Sequence, residues 1–260
     1  MDYELGFLGG GRMASAIADG LLEARPDIEM AVSDPVLKGG SWGERKAKVV
    51  STETLFASCR WLVWSIKPQI FNAEHQNWSS QKFGGEGMIS VMAGVKSTSI
   101  ETLFEGVPVV RTMPNTPMMF SQGMVALAAG AHAGEDHLDA VESFFSPVAK
   151  TLRVDEKQMD GVTAVSGSGP AYVFRLAEEV LEQSSELGLG REQALTLWAQ
   201  TLRGAASMLE GETSPKELRE QVTSPGGTTQ AALETFETLG LASAFGAGLK
   251  AAYDRSIELS

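Results

Sequence analysis

The chain has 260 residues, 43% of them hydrophobic and 21% charged, which is enough for one large domain or two ordinary ones and excludes disorder as its overall character. The 33 acidic residues against 21 basic ones leave a formal charge of −12, which argues against a nucleic-acid groove and against docking on an anionic membrane. Cys59 is the lone cysteine, so neither an intrachain disulfide nor a cysteine zinc cage can form. Asp2 and Glu4 followed by glycines are unlike an export signal, and no stretch approaches the length of a membrane span, so a cytoplasmic protein is expected.

Along the first 154 residues, short β-rich runs alternate with helical stretches, the rhythm of a parallel sheet covered by helices on both faces. Strands are expected at 3–8, 29–33, 61–66, 88–91, 107–113, 124–128 and 151–154. Between the first two, Met13, Ala16, Ile17 and Leu21 recur at helical spacing. Thr98 and Glu101 have capping-box spacing ahead of Leu103 and Phe104, which predicts a helix start there. After Val154 the strand signals stop, and helices are expected at 170–188, 191–210, 215–222, 229–239 and 241–259. Ser214-Pro215-Lys216-Glu217 joins an N-cap, a proline at the first helical position and a capping-box glutamate. The fold class expected is therefore α/β: a mostly parallel sheet covered by helices on both faces over 1–155, then an all-α domain over 156–260. The first helix of that second part carries apolar residues around much of its circumference, among them Tyr172, Phe174, Leu176 and Val180, so the all-α domain is expected to bury a face against a second copy.

Two loop motifs can carry chemistry. Gly9-x-Gly11-x-x-Ala14 follows a predicted strand and opens a predicted helix, so its glycines let backbone N–H groups approach a pyrophosphate favoured by the helix dipole. The next strand ends in Ser33-Asp34, 23 residues beyond Gly11, where an acid meets an adenosine ribose. Asp34 repels a 2′-phosphate and favours NADH, whereas Arg12, Lys38, Arg45, Lys46 and Lys48 supply positive charge nearby; most of these read as a solvated helix face, and the choice between NADH and NADPH stays open. The second motif, Thr223-Ser224-Pro225-Gly226-Gly227-Thr228-Thr229, precedes a helix, and its free N–H groups suit a carboxylate as well as they suit an ordinary capped start. It lacks the lysine of a phosphate loop. Ser65-Ile66-Lys67-Pro68, Ser90-Val91-Met92-Ala93-Gly94 and Arg111-Thr112-Met113-Pro114-Asn115-Thr116-Pro117 all fall at or just past carboxyl ends of expected strands, where such sheets bind ligands. His75, His132 and His137 share no ligand spacing, so no metal is expected; His132 and His137 read as solvent-facing. No Gly-x-Ser-x-Gly elbow supports acyl transfer.

With these residues in place, the chain resembles the pyrroline-5-carboxylate reductases, in order, from the Gly9–Ala14 turn to Thr229. The stretches 111–117, 161–174 and 222–229 carry most of the specificity. The resemblance implies an N-terminal Rossmann-type, doubly wound domain over 1–155, a helical domain over 156–260 that interlocks in a homodimer, with dimers able to form rings, and hydride transfer from NADPH or NADH to the imine carbon of 1-pyrroline-5-carboxylate to give L-proline. It places Gly9, Gly10, Gly11, Arg12 and Met13 at the pyrophosphate, Ser33 and Asp34 at the ribose, and Thr52, Ile66, Lys67, Pro68 and Ala93 along the rest of the cofactor. It places Gly226, Gly227 and Thr228 at the substrate carboxylate, Ser224 in the loop, Glu156 in the pocket wall, and Thr229 at the ring nitrogen as the catalytic side chain. Arg12 stands where the family usually has asparagine, Met92 where it has a small residue, and Trp64 is unusually bulky. A β-hydroxyacid or imine reductase is disfavoured, because the hydroxyacid family has a lysine after its glycine-rich motif and Pro170-Ala171-Tyr172-Val173 has none. A nucleotide-sensing scaffold that has lost catalysis is the reading from another class, and the intact Gly226, Gly227 and Thr229 argue against it.

Overall fold

The computed structural model describes residues 1–37, 42, 43 and 45–259. Lys38 lies outside them. Eight strands form one sheet: β1 (Tyr3–Leu8), β2 (Met30–Ser33), β3 (Lys48–Val49), β4 (Cys59–Trp64), β5 (Gly87–Ser90), β6 (Val109–Pro114), β7 (Gly123–Ala129) and β8 (Ala149–Arg153). Their order is β3-β2-β1-β4-β5-β6-β7-β8, parallel throughout except for the antiparallel β6–β7 pair. The order reverses direction between β1 and β4, so the crevice at their carboxyl ends is the ligand-binding position of this architecture.

The strands alternate their side chains between two apolar layers, as a sheet covered on both faces requires. Leu5, Phe7, Val32, Trp61, Val63 and Ile89 pack beneath α1 (Arg12–Ala24) through Ala14, Ile17 and Leu21. The same layer takes in Leu138, Val141, Phe144 and Phe145 of α6 (Glu135–Phe145). On the other face Leu8, Leu62, Trp64 and Met88 meet α2 (Thr52–Ser58), α3 (Pro68–Ala73), α4 (His75–Ser79) and α5 (Ser97–Glu101). Trp64 is the hub of that layer, edge-on to Phe56, Phe71 and Trp78, and its indole N–H donates to Met88 Sδ at 3.2 Å. The bulk at Trp64 and at the equally buried Met92 is thus absorbed by the interior.

After β8 a turn at Glu156–Gln158 leads to α7 (Met159–Val162), a π turn over Thr163–Gly167 and α8 (Gly169–Gln183). Then follow α9 (Arg191–Leu209), α10 (Pro215–Gln221), α11 (Thr228–Thr238) and α12 (Leu241–Glu258). The contacts divide the chain into one unit of Met1–Pro170 with Ala252–Ser260 and another of Ala171–Ala251. Among the described residues of the second unit only Ser184 and Ala194 are fully buried, while Phe174, Leu197, Leu209, Phe236 and Leu239 stand exposed. An 81-residue unit with so little of its apolar surface covered has no adequate core of its own.

Several local expectations change. Residues 65 and 66 fall outside β4, although the Ser65 N–H and hydroxyl both still donate to the Leu8 carbonyl, at 3.0 Å each. The Thr98–Glu101 box is not made: the cap of α5 is Lys96, and Glu101 is buried and accepts from the His132 amide at 3.3 Å. The Ser214–Glu217 box is made in both directions, at 3.3 and 3.0 Å. No helix carries Arg45, Lys46 and Lys48: Arg45 lies in a bend, ion-paired to Asp19 at 2.5 Å and 5.1 Å from the Trp42 ring centre, and Lys48 sits on the short edge strand β3. His137 is half-buried rather than solvent-facing, accepting from the Gly134 amide at 3.0 Å beneath the start of α6.

Candidate active site

The glycine turn lies where β1 meets its neighbours at the reversal of strand order. Gly9 has φ +97, and a side chain there would press on the Ser65 carbonyl oxygen at 2.8 Å, so only glycine lets β1 and the 65–66 segment approach so closely. Its N–H donates to the Ser33 carbonyl at 2.8 Å, and Ser65 Oγ donates to the Gly9 carbonyl at 2.8 Å. Gly11 is the N-cap of α1 and makes no side-chain cap; a Cβ at Gly11 would meet nothing within 4 Å. The first-turn amides of α1 therefore face open space with no acidic residue in that turn, the condition for an anion. Arg12 and Met13 form that first turn, and the exposed Arg12 adds a cation where the helix dipole is already positive.

Asp34 follows the last residue of β2 and closes the turn from the other side. One carboxylate oxygen accepts the Gly10 N–H at 2.7 Å and the other the Val36 N–H at 2.8 Å. Ser33 and Thr52, separated by 19 residues, bring their hydroxyl oxygens to 2.9 Å. Trp42, which the sequence reading did not single out, donates its indole N–H to the Gly10 carbonyl at 3.1 Å and packs on Phe7. A lone tryptophan in a loop gives no sequence signal of that contact with the turn. Lys67 and Pro68 start α3 beside the half-buried Ile66, and Ala93 precedes Gly94 in the loop between β5 and α5.

Glu156 belongs to the same unit. Its carboxylate accepts the Ser97 N–H at 2.6 Å and the Ser97 hydroxyl at 2.7 Å, with Arg111 Nη1 at 3.5 Å. Ser224, Gly226, Gly227, Thr228 and Thr229 lie in the second unit, in the turn before α11 and its first two residues. Gly226 has φ +72 and donates its N–H to Gln230 Oε1 at 2.7 Å, while the Gly227 N–H closes a turn on the Ser224 carbonyl at 3.0 Å. Gly227 caps α11 without a side-chain bond, which leaves the amides of Thr228 and Thr229 as the donors aimed outward. Gln230, which orders this loop, was missed; a glutamine inside a helix gives no sequence signal of that role. Among the described residues no group of three His, Cys, Asp or Glu is placed to hold a metal ion.

Comparison with known proteins agrees with both halves. Residues 156–259 match the family model described as pyrroline-5-carboxylate reductase dimerisation, and residues 4–94 match that of NADP oxidoreductase, coenzyme F420-dependent. The pyrroline-5-carboxylate reductase of Pseudomonas aeruginosa is 37% identical over 98% of this chain and 96% of its own length. That of Pisum sativum is 32% identical over 99% and 96%. Among solved structures, the reductase of Coxiella burnetii superposes with a TM-score of 0.82 at 32% identity, covering all of this chain and 99% of the other. The pyrroline carboxylate reductase of Plasmodium falciparum with NADP bound has a TM-score of 0.87 at 27% identity, covering 99% and 98%. A glycine turn closed by an acid, an anion-ready helix start in a separate helical unit and full-length similarity at this level all agree: the chain belongs to the pyrroline-5-carboxylate reductase family.

Proposed function

We propose that this chain reduces 1-pyrroline-5-carboxylate to L-proline with NADH or NADPH, using residues 1–155 to hold the dinucleotide and 156–260 to bind substrate and dimerise. The observation that carries the reading is that α1 in one unit and α11 in the other each follow a glycine-rich turn and start at a glycine with no side-chain cap, in a chain similar to these reductases from end to end. The Plasmodium relative binds NADP, and the open space at Gly11 fits a pyrophosphate. Gly9, Gly10, Gly11, Arg12 and Met13 hold that group, Ser33 and Asp34 the ribose, and Thr52, Ile66, Lys67, Pro68 and Ala93 the remainder of the cofactor. When bound, the reduced nicotinamide supplies the hydride that converts the C=N bond to C–N.

The protein's task is alignment, because hydride transfer depends on proximity and on an electron-poor acceptor more than on a strong side-chain base. Thr228 N–H, shaped by Gly226 and Gly227 with Ser224 closing the turn, holds the substrate carboxylate. Thr229 places its hydroxyl at the ring nitrogen, orienting the imine and relaying a proton drawn from solvent. Glu156 forms part of the pocket wall, kept in place by Ser97. The uncovered apolar faces of the second unit and its dimerisation-family match support a homodimer, which rings of dimers extend. A reducing compartment, the cytoplasm, suits the buried free thiol of Cys59.

The test is purified protein with either reduced dinucleotide and pyrroline-5-carboxylate. Substrate-dependent loss of dinucleotide absorbance with proline as product is expected; no turnover with either dinucleotide would leave the scaffold reading standing.

A further inference from the structure

The end of the chain returns to the first unit and meets the loop that carries Ala93. Gly94 has φ +76, and a Cβ there would sit 2.7 Å from Leu259 Cβ and 2.8 Å from its carbonyl carbon, so backbone lies against backbone. Three residues before Leu259, the Ser256 hydroxyl donates to Asp160 Oδ1 at 2.6 Å although 96 positions separate them. Asp160 in turn faces Arg111 Nη2 at 3.8 Å, and Arg111 Nη1 faces Glu156 at 3.5 Å. Glu156 holds Ser97, the first residue after the loop, by both its amide and its hydroxyl. At the loop's other end the Ser90 carbonyl accepts the Thr112 hydroxyl at 3.1 Å.

Arg111 is 1% exposed, and its Nε and Nη2 atoms are buried without a hydrogen-bond partner. A buried guanidinium so loosely bonded contributes little as a stability device. Its charge does offset two carboxylates that would otherwise repel each other, and both of those carboxylates hold segments bordering the loop.

We infer that residues 256–259, with Arg111, Glu156 and Asp160 behind them, are a brace that positions the 91–96 loop against the nicotinamide, making Ser256 and Leu259 positioning residues for hydride transfer. The inference rests on the proposal that Ala93 lines the cofactor beyond its pyrophosphate and ribose, and takes that part to be the nicotinamide. A ring displaced by about 1 Å can lose on the order of a hundredfold in rate, whereas the adenosine half is gripped elsewhere, at Gly9–Arg12 and Asp34. The brace therefore governs kcat and leaves dinucleotide affinity nearly untouched.

Two variants test it, Ser256→Ala and a chain ending at Glu258. Amide hydrogen exchange of residues 91–97 in the ligand-free protein is expected to accelerate at least about tenfold, with β1 and β4 amides unchanged. With saturating substrate, kcat is expected to fall about tenfold or more while the dinucleotide Kd, measured by calorimetry, moves less than about threefold. If the loop does not loosen in Ser256→Ala, which removes a single hydroxyl and is expected to fold, the brace does not exist. If it loosens with kcat unchanged, the positioning role is overturned. The wild type separates that failure from a misplaced Ala93: NADH binding slows exchange at 91–97 only where this loop borders the cofactor, so an unprotected loop refutes the underlying reading instead.

Discussion

Replacing Asp34 by serine is expected to move the ratio of kcat/KM for NADH over that for NADPH by roughly a hundredfold toward NADPH. The carboxylate is fixed, not free to swing aside: its two oxygens are tied to the Gly10 and Val36 amides at 2.7 and 2.8 Å. A 2′-phosphate carrying nearly two negative charges about 5 Å from such a group is repelled by about 1.7 kcal/mol even at the dielectric constant of water. The site is only half-open, which strengthens that figure, and salt weakens it. NADH loses a hydrogen bond from its ribose in the same variant, about 1 kcal/mol, so both changes push the ratio in one direction. Asp34→Asn separates the two effects, since it keeps the shape and one acceptor but removes the charge; it should recover most of the NADPH gain with less loss of NADH. Steady-state kinetics with each dinucleotide at fixed ionic strength measures the ratio, and repeating the assay at high salt should shrink the difference. An unchanged ratio in both variants, with both proteins folded, would mean that Asp34 merely closes the glycine turn and does not face the ribose.

Further outcomes are expected at three positions. Thr229→Val should lower kcat/KM for pyrroline-5-carboxylate by about ten- to a hundredfold with dinucleotide affinity nearly intact, and equal weakening of both would show the substrate loop to be misassigned. Burial pushes the Cys59 thiol up to about 12 from its ordinary 9.0. The native protein should therefore resist a thiol-specific reagent at pH 8 until it unfolds. Because the unfolded thiol ionises first, this group's contribution to stability is present below about pH 9 and is lost as pH rises toward 12, which denaturant titrations across that range will show. Gly20, in α1, lies against Val148, whose methyl group occupies the space a Cβ would need. Gly20→Ala should cost about 1–3 kcal/mol of stability despite its better helix propensity, and Val148→Ala in the same chain should restore most of it.

What could be read in advance divides along a physical line. The glycine turn, the acid beyond β2 and the start of α11 were legible as local structure because they rest on backbone geometry over a few residues: positive φ at Gly9 and Gly226, uncapped amides, an acid at a strand end. The strands of the sheet were legible for the same reason, apart from β3, whose two residues are ordered by pairing with Ala31 and Val32 and carry no pattern of their own. What escaped notice is held by side chains reaching across the chain. Thr98 and Glu101 have the spacing of a capping box, yet the amide of Ser97 is claimed by Glu156 from 59 positions away and Glu101 is drawn into the core beside Gly130. Arg111 shows the same limit more sharply: within its strand it reads as half of a polar pair with Thr112 between apolar neighbours, and only the fold sets it between Glu156 and Asp160. A local signal wins where its competitors are also local, and loses where a distant carboxylate offers a charge-assisted bond that solvent cannot match in a buried place. The proposed site would join both kinds: backbone donors at the starts of α1 and α11, with no side-chain cap, and long-range ion pairs of Arg111 with Glu156 and Asp160.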